Sequence, residues 1–186
     1  MILPVYAFGH PVLKRKGVDI SPDFENLDQI IQNMWETMYQ AKGVGLAAPQ
    51  IGLGIRLFIV DTIQIMEEGR QQEGIKKVFI NAKVQSEFGD PWTYEEGCLS
   101  IPNIRGDVER LSKVRIQYLD EQFNPKDEIY EGINARVIQH EYDHIEGRLF
   151  VELLGPVKKK MIQRKLSDIK QGKVTADYKI KFPRIL

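Results

Sequence analysis

The chain has little of several things, and each scarcity excludes something. It carries one cysteine, Cys98, so no disulfide can form within it, and a reducing compartment is expected. No apolar run approaches the roughly 20 residues needed to cross a bilayer as a helix. The opening residues, Met1-Ile2-Leu3-Pro4-Val5-Tyr6, lack a basic segment followed by an apolar stretch, so no secretory leader is expected there. There are no repeats and no low-complexity tracts. Net charge is absent too, because 26 Lys and Arg balance 26 Asp and Glu. The balance is uneven along the chain. Pro156 to Leu186 holds ten basic residues and two aspartates, leaving sixteen basic and twenty-four acidic residues before it. An acidic body with a basic tail is the wrong distribution for a specific DNA-binding core, although the tail can meet an acidic partner.

What remains is an ordinary globular composition: 186 residues, 42% hydrophobic and 28% charged. One catalytic domain, 1–186, is expected, with a core over 1–154 and an extension over 155–186. Ser21-Pro22-Asp23 offers helix-starting chemistry, and Phe24, Leu27, Ile31, Met34 and Met38 follow at helical steps towards Lys42-Gly43. Residues 55–60 and 78–80 read as buried strands, and the polar stretch 63–76 between them as a solvated loop. Val114, Ile116 and Tyr118 alternate with polar residues in a half-buried strand, followed by a turn at 120–126 and a return strand at 127–131. A second helix spans about Asn134 to Glu146. A third starts at Gly155-Pro156, carries Val157, Met161, Ile162, Leu166 and Ile169, and stops at Gly172. Alternation over 174–182 predicts a terminal strand. The fold class is therefore α+β: mostly antiparallel strands around a central helix, with a C-terminal helix and strand.

The chemistry concentrates in His140-Glu141-Tyr142-Asp143-His144. Residues four apart on a helix share a face, so both imidazoles can converge on one cation. Measured from Ile133, Val137 lies at about 40°, His140 at about −20° and His144 at about 20°, one stripe; Glu141 lies beside it at about 80°. A carboxylate there can serve as a base without being a ligand. A helix that merely happens to carry two structural histidines is the ordinary alternative, but two of the chain's three histidines bracket a glutamate at ligand spacing. A catalytic divalent site wants three protein ligands. Candidates for the third are Cys98, His10, Glu152 and Asp168. Cys98 could equally be a small buried hydrophobe, and His10 reads as structural or exposed. Gly43-Val44-Gly45-Leu46-Ala47-Ala48-Pro49-Gln50-Ile51-Gly52 has almost no side-chain bulk. It suits either a tight turn or the close approach of a ligand backbone, with the Gln50 amide free to donate to an oxyanion.

Three segments in order, GVGLAAPQIG at 43–52, EGCLSIP at 96–102 and QHEYDHIEG at 139–147, together resemble the peptide deformylase family, and GHPVLK at 9–14 is similar to that family's N-terminal segment. The resemblance covers most of residues 1–150. It implies metal-dependent hydrolysis of the N-formyl group of formyl-methionyl nascent peptides, with release of formate. Cys98, His140 and His144 match the metal ligands, and Glu141 the catalytic glutamate. Gln50 and the Leu99 backbone N–H match the oxyanion donors. Gly45 matches a position that pairs with the substrate strand, and Gly97 lies in the adjoining motif beside bound substrate. Val44, Ile133 and Val137 match the apolar surroundings of the methionine side chain, and Arg105 a basic residue near the far end of bound peptides. The implied ion is Fe²⁺ in the cell, with Zn²⁺, Ni²⁺ or Co²⁺ able to take its place, and the implied location is the bacterial cytoplasm. Lys158, Lys159, Lys160, Arg164 and Lys165 would give the third helix a basic face suited to the ribosome, or simply a solvated one. Residues 61–77 and the segment 174–182 both exceed the family's compact members. Two other classes compete: a zinc endopeptidase with Glu152 or Asp168 as third ligand, and a metal-binding module without activity.

Overall fold

A computed structural model describes residues 1–183, so the last three residues of the expected 155–186 extension lie outside it. In chain order the elements are β1 (Val5–Tyr6), α1 (Leu27–Gln40), β2 (Gly45–Ala47), β3 (Leu57–Asp61), β4 (Lys76–Cys98), β5 (Ile101–Leu119), β6 (Pro125–Glu131), α2 (Gly132–Ile145), α3 (Pro156–Lys170) and β7 (Ile180–Lys181). Strands β2 to β6 form one antiparallel sheet in sequence order, and β1 pairs with β7 in parallel.

β3 explains why the core has two halves. All five of its residues are buried, and side chains alternate between sheet faces. Leu57 and Ile59 join the cluster under α1, with Ile31, Met34 and Met38, while Phe58 and Val60 join the cluster under α2, with Phe79, Val114 and Ile116. A helix on each face therefore covers the same short strand. A third cluster joins the start of β5 to α3 and the tail through Ile104, Val108, Phe150, Ile162 and Ile169.

The largest element is one the alternation at 114–118 only hinted at. β4 and β5 form a single long hairpin, joined at Cys98–Ile101 by a two-residue turn, with register shifts near Asn81, Gln85 and Gly89. Such bulges bend a strand and break its period of two, which is why only its ends read as strand in sequence.

Three expectations need correction. α1 begins at Leu27 rather than at Ser21, because the Ser21 hydroxyl bonds the Asp23 carboxylate in a preceding turn. The expected terminal strand is only Ile180–Lys181; residues 174–179 run along the molecule without a ladder. On α3, Ile162 and Ile169 are buried as expected, whereas Val157 and Met161 face solvent.

Candidate active site and metal centre

α2 is amphipathic in an unusual way: Arg136, Gln139, Glu141, Asp143 and His144 are all buried. Buried polar groups require partners, and the β4–β5 hairpin supplies them. Arg136 donates to Glu96 at 2.9 Å, to the Val108 carbonyl at 2.9 Å and to the Trp92 carbonyl at 2.6 Å. The Gln139 amide donates to Glu87 and to the Leu111 carbonyl. Arg110 reaches Asp143 at 2.8 Å. These bonds fix the rotation of α2, so His140 and His144 point at the hairpin's end, where Cys98 closes β4.

There the three donors meet. The Cys98 Sγ lies 3.3 Å from the His144 Nε2, and the ligating atoms of Cys98, His140 and His144 all fall within 4.8 Å of one another. The imidazoles stand 5.1 Å apart, nearly perpendicular. Glu96 sets the His140 tautomer. Burial alone would raise its carboxyl, but hydrogen bonds with His140 and Arg110 outweigh this and hold it well below the usual carboxylate range. An ionised carboxylate only accepts, so the His140 Nδ1, at 2.8 Å from Glu96, carries the proton and its Nε2 lone pair is free. Burial above all, reinforced by the positive charge of Arg110, pushes His144 well below its ordinary value, which favours the neutral form a metal needs. Its buried Nδ1 has no partner among the described residues. A thiol and two imidazoles at this separation match a small tetrahedral cation and leave a fourth corner for water or substrate.

Glu141 faces this corner. It is 4% exposed, its Oε2 has no hydrogen-bond partner among the described residues, and burial above all pushes its carboxyl up to about 7. A carboxylate poised near neutrality is what proton transfer requires. It can lie so close to β2 only because residue 45 is glycine: a Cβ there would stand 2.5 Å from the Glu141 Oε1. Gln50 follows β2 on a short 3₁₀ turn, and its Oε1 accepts from the Ala47 N–H at 2.8 Å. That bond aims Nε2 towards Cys98 Sγ, 3.4 Å away, and the Ser100 hydroxyl, 3.3 Å away.

The site opens into a cleft of about 1280 Å³. Val44, Gly45, Gln50, Gly97, Cys98, Leu99, Arg105, Ile133, Val137, His140 and Glu141 line it, while His144 sits behind them, 1% exposed. β2 is the sheet's edge, so the free side of Gly45 can accept a further strand. Arg105, opposite Gly97 in the hairpin register, pairs with Glu95 at 2.7 Å on the rim. The other candidate ligands are elsewhere: Glu152 pairs with Lys14, and His10 stacks edge-on against Tyr6.

Sequence reading missed four contributors. Glu96 was within reach, since it shares a strand face with Cys98 at a spacing of two. Arg110 and Arg136 carry no local signal, because their partner lies on another element. Tyr178 comes from the tail, which reaches the cleft only through β7. The 63–76 connection is exposed as expected, but it is not only solvated: Ile65 and Met66 border the cleft, and the Gln64 amide donates to the Gly43 carbonyl at 2.9 Å.

Comparison with known proteins agrees with this geometry. The sequence profile of the polypeptide deformylase family matches residues 2–160. A peptide deformylase of Flavobacterium johnsoniae is 50% identical over 98% of this chain and 96% of its own length. The crystal structure of a peptide deformylase from Legionella pneumophila superposes with a TM-score of 0.80 at 36% identity, over 93% of this chain and 98% of that one. A peptide deformylase structure from Plasmodium falciparum gives 0.81 at 31% identity, over 90% and 95%. A thiol and two imidazoles meeting beside a buried glutamate, on a fold and a sequence shared with these proteins, place the chain in the peptide deformylase family.

Proposed function

We propose that Cys98, His140 and His144 hold a single divalent ion and that Glu141, Gln50 and the Leu99 N–H carry out the family's reaction, the hydrolytic removal of the N-formyl group from new polypeptides. The observation that carries the assignment is the convergence of those three donors beside a buried carboxylate with no other partner.

When bound, the ion supplies Lewis acidity that makes water nucleophilic near neutral pH. The chain does the rest. A substrate backbone lying along the free edge of β2 meets Gly45, and its methionine side chain enters the apolar space beside Val44, Ile133 and Val137. Gly97 and Arg105 flank the peptide further out. Glu141 takes the proton from the attacking water as the new C–O bond forms, then delivers it to the amine nitrogen as the C–N bond breaks. One water is consumed, and formate and a free amino terminus are released. Negative charge grows on the formyl oxygen in between, where the Gln50 Nε2–H and the Leu99 N–H donate to it. A formyl carbon bears only hydrogen, so a close wall can reject larger acyl groups.

The donor set accommodates several ions. Fe²⁺ is the proposed ion in the cell, on the family resemblance, with Zn²⁺, Ni²⁺ and Co²⁺ as substitutes. Work on nascent chains would place the protein in the bacterial cytoplasm, acting as one catalytic unit. No helix among the described residues is long and apolar enough to cross a membrane. Lys158, Lys159, Lys160, Arg164 and Lys165 are all exposed on α3, which supports docking on ribosomal RNA. Formate release from a formyl-methionyl dipeptide, measured anaerobically beside casein digestion, tests the assignment. Casein cleavage without formate would favour an endopeptidase; metal bound with neither activity would favour a binding module.

A further inference from the structure

The tail beyond α3 does more than cover the core. Residues 175–178 form part of the cleft wall. They are carried there by the pairing of Ile180 and Lys181 with Val5 and Tyr6, and by the Asn103 amide, which donates to the Thr175 carbonyl at 3.3 Å. From this position the half-buried Tyr178 hydroxyl donates to the Leu99 carbonyl at 2.7 Å. We propose that Tyr178 is a positioning residue for deformylation, acting through the turn that presents the Leu99 N–H to the developing oxyanion. This rests on the reading of the site given above.

Leu99 and Ser100 are the two residues of the β4–β5 turn, and three distant segments pin them. The Phe8 N–H donates to the Ser100 carbonyl at 2.8 Å, the Gln50 amide reaches the Ser100 hydroxyl, and Tyr178 holds the Leu99 carbonyl. The first two act on Ser100; of the three, Tyr178 alone fixes Leu99 itself. The direction of the Leu99 N–H depends on the backbone torsions on either side of it, so a carbonyl free to rotate loosens the donor as well. A shift on the order of 1 Å in a group of this kind can cost up to a hundredfold in rate. The turn has no slack on its other side, since the Leu99 side chain abuts Gly43, where a Cβ would approach it to 2.9 Å.

Tyr178→Phe removes the hydroxyl and keeps the ring, so the tail should stay docked. Compared with the metal-loaded full chain on a formyl-methionyl dipeptide, kcat is expected to fall about tenfold with KM within twofold, the pattern of an interaction made chiefly in the transition state. Metal content and Tm should match the unaltered protein, and amide hydrogen exchange should quicken at 98–101. A purely structural role would instead lower Tm or metal content in step with activity. A kcat within twofold of the unaltered protein, or a loss accounted for by lost metal, overturns the proposal. Gln50→Ala runs alongside. If it cripples turnover while Tyr178→Phe does not, only the role of the tail fails; if Gln50→Ala is itself fully active, the oxyanion assignment beneath it fails.

Discussion

At the scale of single residues, the site is built from side chains held in costly environments. Glu141 is buried, its Oε2 has no partner among the described residues, and burial first of all pushes its carboxyl up to about 7. Glu141→Gln keeps the shape and removes the proton acceptor. Metal content by elemental analysis should be unchanged while kcat falls about 10²–10⁴-fold, the usual weight of a positioned base. Cys98→Ser removes the sulfur from a set of three donors within 4.8 Å, and the variant should purify with little or no metal. Full metal occupancy in that variant would refute ligation by Cys98. Gly45 makes a different point, because the family resemblance implies only that its backbone pairs with the substrate strand. The structure adds a second requirement, since a methyl group there meets the Glu141 carboxylate at 2.5 Å. Gly45→Ala should therefore lower kcat at least tenfold with metal retained, as the base is displaced.

At the scale of elements, the pairing of α2 with the β4–β5 hairpin decides everything at the centre. Glu96 sits at the hub, 4% exposed at its side chain, with Arg110, Arg136 and the His140 ring all bonded to it. Removing one member of such a group strands the others as buried charges. Glu96→Gln should cost about 3–5 kcal/mol, visible as a drop of roughly 10 °C in Tm, and it should also weaken metal binding by loosening the His140 ring. Thermal melts with and without added metal would separate the two effects. The helix itself was legible, because its histidine spacing and bounding glycine are local signals. The hairpin was not: β4 and β5 are interrupted by register shifts, and much of their outer length is exposed, so neither hydrophobic runs nor strict alternation marks their extent. α1 shows the reverse error. Ser21, Pro22 and Asp23 have the right chemistry for a helix start, yet they spend it on a local turn, and the helix opens one turn later.

At the scale of the whole molecule, a polar cluster around Glu128 contributes to the pH dependence of stability. Burial alone would raise the Glu128 carboxyl, but hydrogen bonds from Lys77, Tyr118 and Tyr130 outweigh it and lower it from the usual 4.5 to about 2. A carboxylate lowered on folding stabilises the native state fully above the unfolded value and loses that contribution as pH falls through the folded one. Urea-unfolding stability should thus decline between about pH 4.5 and 2, and Glu128→Gln should flatten that decline; an unaltered slope would show that this cluster contributes nothing. Sequence by itself determined the α+β class, the two histidines on one helical stripe with their glutamate beside it, and the small-residue segment bearing Gln50, since each depends on spacing within a few residues. Only the tertiary structure brings Cys98 within reach of both histidines, bonds Glu96 to the His140 ring, and carries Tyr178 to the Leu99 carbonyl. Those groups lie on different elements, 42 to 79 positions apart in the chain, and their meeting is fixed by how α2, the long hairpin and the tail pack. Packing of that kind leaves no periodic trace in the order of residues.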